Sequence, residues 1–468
     1  MGTNSHRGEE LLLELDRSTG TPLRAQLEDA LREAVRSGRL APQMQMPATR
    51  VLAADLGISR RLVVDAYAQL LAEGYLLARP GAGTFVAGAA APPERPAAGR
   101  HEVPLQFDFF PGNPDLATFP RRLWLRALRE TLREAPDRAF GYPDPRGALE
   151  LRRALAGHLR RVRGVAADPE SIVVCAGAAQ AFALIGAELA GSTIAAEDPG
   201  LPVHRWILTS HGARVAGLEV DADGARVELL SSQAAAALVT PAHQSPTGVA
   251  LSPSRRAVLL EWAARTGGVV IEDDYDAEFR YDRAPLGAMQ GLAPERVLYT
   301  GTVSKTLAPA LRLGWMVLPS RLLEPIASRK LMADHGSPTL DQLALARLLD
   351  SGAYDRHLRG ARRRYRSRRD TLVAAVEQEL PGARVTGLAA GLHATVRLPE
   401  PVDGIALARA AARESVGIYP LGYAYIEPRP VDDGLVLGYA NLAEPAIEEG
   451  IRRLARVLSR LGPAPAET

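Results

Sequence analysis

The chain has 468 residues, more than one hydrophobic core usually spans, so two or three domains are expected. It is 47% hydrophobic and 24% charged, ordinary for a globular protein, and a formal net charge of +2 excludes a polyelectrolyte that binds anions through bulk charge. One cysteine, Cys175, excludes an intramolecular disulfide framework and a cysteine-based zinc site; with a polar start, Met1 to Glu10, and no apolar run of membrane-spanning length, a non-membrane protein of the reducing cytoplasm is expected.

Thr21-Pro22 reads as a helix start, with the hydroxyl as cap, and Leu23, Leu27, Leu31 and Val35 recur every four residues behind it. Gly38 stops that helix, and a short second one runs from about Ala48 to the break at Gly57. Ser59 caps a third helix with a broad apolar stripe over Ile58, Leu62, Ala66 and Leu70, so the pattern is helix, glycine turn, helix. Tyr75 to Val86, two short apolar runs around Pro80-Gly81-Ala82-Gly83, reads as a hairpin wing. Over residues 1–88 ten arginines balance ten acids, yet residues 36–64 carry Arg36, Arg39, Arg50, Arg60 and Arg61 against Asp55 alone. Arg60 and Arg61 fall in the first turn of the recognition helix, where side chains reach bases or phosphates; the alternative is an arginine-rich solvated face.

The stretch from Ser37 to Val86 within Thr21 to Ala87 resembles the GntR-type winged helix-turn-helix. That resemblance implies DNA contacts at Arg50, Ser59, Arg60, Arg61, Gly81 and Gly83. Val64 stands where many relatives carry a further polar residue.

Residues 9–88 are thus assigned to the DNA reader and 89–105, rich in Ala, Gly and Pro, to a linker. From 106 to 468 helical stretches such as Arg121 to Glu134 and Ala148 to Arg163 alternate with short apolar runs, Ser171 to Val174, Gly268 to Ile271 and Arg296 to Tyr299, which favours an α/β fold with a largely parallel sheet. Ligands in such sheets sit at the carboxyl ends of strands. Strand, Gly177, then helix start at Ala178 and Ala179 offers free N–H groups to a phosphate, or is a plain tight turn. Glu272-Asp273-Asp274-Tyr275-Asp276 puts four acids in five positions after an apolar strand: carboxylate and phenol for a protonated pyridine ring and its hydroxyl, a metal cluster, or a solvated acidic loop.

Among 56 basic residues only Lys305 and Lys330 are lysines. An arginine cannot form an imine, whereas a lysine of lowered pKa condenses with an aldehyde. Lys305 lies among Thr302, Ser304 and Thr306, with Arg312 seven residues on, a set that can hold a phosphate.

From Phe107 onward the chain resembles aspartate-aminotransferase-like, fold-type I pyridoxal phosphate proteins, which implies a large domain and a small C-terminal subdomain. It implies pyridoxal 5'-phosphate as cofactor, Lys305 as the internal aldimine, Asp273 on the pyridine nitrogen and Tyr275 on the ring hydroxyl. Ala178, Ala179, Thr302 and Arg312 would hold the phosphate, and Tyr142 that of a partner subunit, hence a homodimer. Thr240 to Gly248 looks like the ring-proximal loop and adds His243 and Gln244; no metal site is implied. A GntR-like reader on an aminotransferase-like domain is the architecture of the MocR subfamily of transcriptional regulators, often head-to-tail dimers. The chain departs from these families in having Leu201 where many relatives stack an aromatic on the ring, and no arginine in Leu435 to Tyr439 to grip a substrate carboxylate. Arg397, Arg429 and His393 are candidates for an effector, and the eight arginines of 356–369 for a further DNA contact, against surface charge or core histidine as alternatives.

The expected function is a pyridoxal phosphate-binding regulator that senses the cofactor, an amine or an amino acid and controls binding to a double-stranded DNA operator. A working aminotransferase with an attached DNA-binding module is the alternative.

Overall fold

The computed structural model describes residues 13, 15–87, 105–276, 278–281 and 286–461. The chain divides into two compact units, residues 1–102 and 103–468. Apart from Leu105, the segment expected to be a linker lies outside the described residues.

The first unit is a winged helix-turn-helix. Helix α1 (Leu23–Arg36) buries Leu27 and Leu31, α2 (Thr49–Asp55) buries Leu52 and Ala53, and α3 (Arg60–Ala72) buries Val63, Ala66, Tyr67 and Leu70, so three amphipathic faces share one core. Ser59 caps α3 by accepting the Leu62 N–H at 3.3 Å. The cap expected at Thr21 does not form: Pro22 takes the N-cap position at φ −55° with no side-chain bond, and the Thr21 carbonyl accepts from Gln26 Nε2 at 2.8 Å instead. Strands β1 (Leu76–Arg79) and β2 (Gly83–Val86) pair antiparallel as the wing.

The second unit opens with β3 (Phe107–Asp108), α4 (Arg121–Glu134) and α5 (Leu149–Arg163). Its main sheet is built from β4 (Ile172–Cys175), β5 (Thr193–Asp198), β6 (Arg214–Asp221), β7 (Gly224–Ala225), β8 (Ala236–Val239), β9 (Val269–Asp274), β10 (Val297–Thr302) and β11 (Gly314–Val317), in the order β4-β11-β10-β9-β8-β5-β6-β7. Strands β10, β9, β8, β5 and β6 run parallel. Strand β11 is antiparallel to both β10 and β4, so β4 shares the common direction. Alternate side chains go to opposite faces: Val173 and Cys175 pack with Phe182 and Ile185 of α6 (Ala178–Glu188), while Ile172 and Val174 pack with Leu151 and Leu155 of α5. A four-stranded antiparallel sheet of β12 (Arg384–Thr386), β13 (His393–Asp403), β15 (Tyr419–Pro420) and β16 (Val431–Gly438), in the order β12-β13-β16-β15, forms the smaller C-terminal part with the long α11 (Ala353–Glu379) before it.

This topology places the motifs. The carboxyl ends of β4, β5, β8, β9 and β10 lie on one edge, and the antiparallel β11 starts there, so Arg312, just before it, arrives beside Gly177: Gly314 pairs with both Thr302 and Cys175. Leu31→Ala, at a position 1% exposed, is expected to cost the reader about 2–5 kcal/mol while leaving the melting of the large unit unmoved, a difference that calorimetry of the full chain resolves.

Candidate functional site

The acidic stretch is part of the sheet. Strand β9 runs through Asp274 with all six residues buried, which overturns the expectation that the acids follow the strand and excludes a solvated loop. Burial forces each carboxylate to find a partner. Glu272 accepts the N–H groups of Met289 and Gln290, each at 2.9 Å; Asp274 accepts from Arg163 Nε at 2.7 Å and Tyr299 hydroxyl at 2.6 Å; Asp276 lies 3.0 Å from His243 Nδ1. Asp273 differs. Its Oδ1 accepts from the Thr300 hydroxyl at 2.9 Å, and its buried Oδ2 has no hydrogen-bond partner among the described residues. Burial, reinforced by Asp274, Asp276 and Glu197, pushes its pKa up to about 7 although the Thr300 bond opposes it.

Next to it lies a cavity of about 510 Å³ whose lining includes Ala178, Ala179, Leu201, His204, Tyr275, Thr302, Ser304, Lys305, Arg312 and His393. Lys305 Nζ donates to the Gly112 carbonyl at 2.8 Å, and burial pulls its pKa below the usual ammonium value against the opposing pull of Asp276 and Asp273. Gly112 is required by that approach: at φ +85° a Cβ there would stand 2.9 Å from Nζ. The hydroxyl of Tyr275 is 3.2 Å from His243 Nδ1.

At the other end of the cavity Gly177, at φ +77°, starts α6, so the N–H groups of Ala178 and Ala179 have no partner within the helix. Arg312, itself left-handed at φ +49°, donates from Nη2 to the Ala176 carbonyl at 2.5 Å; a Cβ on Gly177 would lie 3.1 Å from its Nη1. The Thr302 hydroxyl donates to the Leu313 carbonyl at 3.1 Å and accepts the Ser304 N–H at 3.2 Å. Helix N-terminus, hydroxyls and guanidinium together make an anion site. Pyridoxal phosphate fits this donor set: phosphate at α6 and Arg312, an aldehyde within reach of an amine of lowered pKa, and for the ring N–H a buried carboxylate oxygen that nothing else uses.

His204 was not singled out from sequence. It lies one turn along α7 (Pro202–Ser210) from Leu201, stacks on Phe182 at 3.9 Å and holds Nδ1 3.4 Å from Asp273 Oδ2. Burial, with Lys305 adding to it, lowers its pKa to about 3, so the pair is not an ion pair at neutral pH. The three-residue spacing behind the Asp198-Pro199-Gly200 turn is the signal that could have found it.

Other candidates are occupied elsewhere. Gln244 donates to the carbonyls of Pro199 at 2.8 Å and Ser245 at 2.7 Å and accepts from Thr247, so it ties its own loop to the turn after β5. For His243, burial opposes the charged form, but Asp276 outweighs it and raises the pKa. Arg397 pairs with Asp433 and Asp432, and Arg429 lies 3.6 Å over the Tyr425 ring. The arginine run divides: Arg362, Arg368 and Arg369 hold the carbonyls of Glu278, Ala440 and Leu388, while Arg356, Arg359, Arg363 and Arg366 share the exposed face of α11. Tyr142 is 93% exposed, with its ring 6.3 Å from that of His335.

On the reader, Arg50, Arg60, Arg61 and Val64 are exposed, with Arg60 Nε 3.5 Å from the Thr49 hydroxyl. Gly81 and Gly83, at φ +76° and +109°, form the wing tip. Arg36 is not available: both its Nε and Nη2 donate to the Tyr75 hydroxyl.

A winged DNA reader in one chain with an aminotransferase-type sheet defines a regulator rather than a stand-alone enzyme. Residues 23–86 match the family "Bacterial regulatory proteins, gntR family" and residues 109–454 "Aminotransferase class I and II". The chain is 33% identical to the probable rhizopine catabolism regulatory protein MocR of Rhizobium meliloti, covering 95% of each. It is 32% identical to the pyridoxine biosynthesis transcriptional regulator PdxR of Corynebacterium glutamicum, over 96% of this chain and 99% of that one. A crystal structure of Pyrococcus horikoshii kynurenine aminotransferase matches with TM-score 0.71 and 27% identity over 77% of this chain and 92% of that one. The chain belongs to the MocR subfamily of GntR-type transcriptional regulators, with a fold-type I aminotransferase-like domain.

Glu197, Glu272 and Asp273 all have pKa values raised to about 7 by burial. A carboxyl that holds its proton more tightly folded than unfolded loses stability for the fold as pH climbs from roughly 4, the unperturbed value, to about 7. Buried His158, His204 and His393, whose pKa values are lowered to about 4, 3 and 4, act in the opposite direction over the same window, so the check is a difference: in cofactor-free protein the urea midpoint of Asp273→Asn should fall less, or rise more, with pH than that of wild type, and an unchanged pH profile contradicts the assignment. Arg61→Ala is expected to weaken operator binding and to reduce its salt slope by about 1, measured by titration at several salt concentrations.

Proposed function

We propose that this regulator binds pyridoxal phosphate in the cavity around Lys305 and couples its occupancy to operator binding. The buried, unpartnered Oδ2 of Asp273 carries the reading, because a carboxylate left so needs a cationic or N–H partner. When bound, the cofactor supplies an aldehyde for an amine and a ring that withdraws electrons. Asp273 accepts the ring N–H, Tyr275 faces the ring hydroxyl, and Ala178, Ala179, Thr302 and Arg312 hold the phosphate. Lys305 offers its amine and keeps a proton near the reacting carbon. Tyr142, fully exposed on its own chain, reaches the phosphate of a second copy in a homodimer working in the cytoplasm.

The effector is the cofactor itself, an amine or an amino acid. The names of the relatives, one a pyridoxine biosynthesis regulator and one a rhizopine catabolism regulator, support that range. Control requires that the effector bind two arrangements of the protein unequally. A working aminotransferase is the second reading, favoured by the likeness to kynurenine aminotransferase. Against it, Arg397 and Arg429 are engaged by Asp433 and Tyr425 and do not line the cavity.

The test is an operator titration at fixed salt with wild type and Lys305→Ala, with and without pyridoxal phosphate, recording the visible spectrum. Wild type should give a visible cofactor band and a cofactor-dependent operator affinity, and Lys305→Ala should lose both. A band with an affinity that never moves, alongside turnover of amino acids, would instead establish the enzyme.

A further inference from the structure

The second lysine is as singular as the first. Lys330, on α9 (Ser320–Asp334), is 0% exposed, and its ammonium donates to Gln180 Oε1 at 3.2 Å, Asp334 Oδ2 at 2.7 Å and Ser337 Oγ at 3.0 Å. Three N–H donors meet three acceptors, so the compact ammonium is fully used; a planar guanidinium directs its donors differently, which explains a lysine in a chain that otherwise uses arginine.

Gln180 is the link. It sits in the first turn of α6, its Oε1 also accepts the Ala176 N–H at 2.8 Å, and its Nε2 donates to Asp334 Oδ2 at 2.7 Å. The Ala176 carbonyl accepts from Arg312 Nη2 at 2.5 Å. The residue entering the Gly177 turn is therefore fixed through its N–H by the Lys330–Gln180 pair and through its carbonyl by the arginine that faces the phosphate. On its other side the same network holds the turn after α9: Asp334 Oδ1 accepts the Gly336 N–H at 2.8 Å, and Gly336 packs so tightly on Pro143 that a Cβ would come within 2.7 Å.

We propose that Lys330 is a positioning residue for the phosphate cradle: through Gln180 and Asp334 it aims the Ala176–Ala179 turn at the cofactor's phosphate and fixes that turn relative to the Tyr142-Pro143 segment. This rests on the cofactor reading above. Removing one partner of a buried ion pair leaves the other charge uncompensated, so a purely structural role would show in melting alone.

The phosphate's share of binding separates the two roles. Pyridoxal phosphate and pyridoxal, which lacks the phosphate, are titrated into wild type, Lys330→Met and Asp334→Asn, following the visible band. The ratio of the pyridoxal Kd to the pyridoxal phosphate Kd should fall roughly tenfold in both variants, with pyridoxal affinity little changed. Arg329→Ala, which breaks the pair between α9 and Glu188 at the far end of α6, should keep the wild-type ratio. Should Lys330→Met fail to fold, Asp334→Asn decides, since Asp334 is partly exposed. A ratio unmoved in the folded variants overturns the proposal, whatever happens to their melting temperatures. A wild type that binds neither compound overturns the cofactor reading and this proposal with it.

Discussion

The half-satisfied buried carboxylate of Asp273 organises the large unit. Strand β9 lies inside a sheet covered on both faces, so every polar group in it needs internal satisfaction. Glu272, Asp274 and Asp276 receive backbone N–H groups, Arg163 with Tyr299, and His243. Asp273 receives one hydroxyl and keeps one oxygen open, beside His204. The parallel strands bring Lys305, Tyr275 and the start of α6 to the same edge, and the reversed β11 returns Arg312 to it. A cationic aromatic ring carrying a phosphate answers all of these groups at once, which a metal ion would not.

Use of arginine nearly everywhere makes the two lysines informative. Arginine serves where a forked, permanent cation suffices, as in Arg163 on Asp274 or Arg152 on Asp144 and the Pro169 carbonyl. Lys305 stands where burial lowers the pKa of its amine, and Lys330 where three acceptors converge on one small cation.

The departures from an aminotransferase agree with a regulatory use. Leu201 lines the cavity with an apolar side chain in place of an aromatic, and Val436, not an arginine, faces the cavity from β16 (Val431–Gly438).

The sequence by itself determined the reader and the aminotransferase-like fold behind it, because caps and glycine turns are local chemistry: Ser59 and Gly177 stand where their neighbours require them. Tertiary structure alone decided how the four acids of 272–276 are satisfied, because the partners of Glu272, Asp274 and Asp276 come from other elements. It also tied Gln244 to the Pro199 turn, engaged Arg362, Arg368 and Arg369 of the 356–369 run with carbonyls, and revealed His204 and Lys330, whose surroundings include residues up to 150 positions away. Burial is the physical reason: a polar side chain's role inside a protein is set by what remains to satisfy it, and that is a property of packed neighbours rather than of the chain.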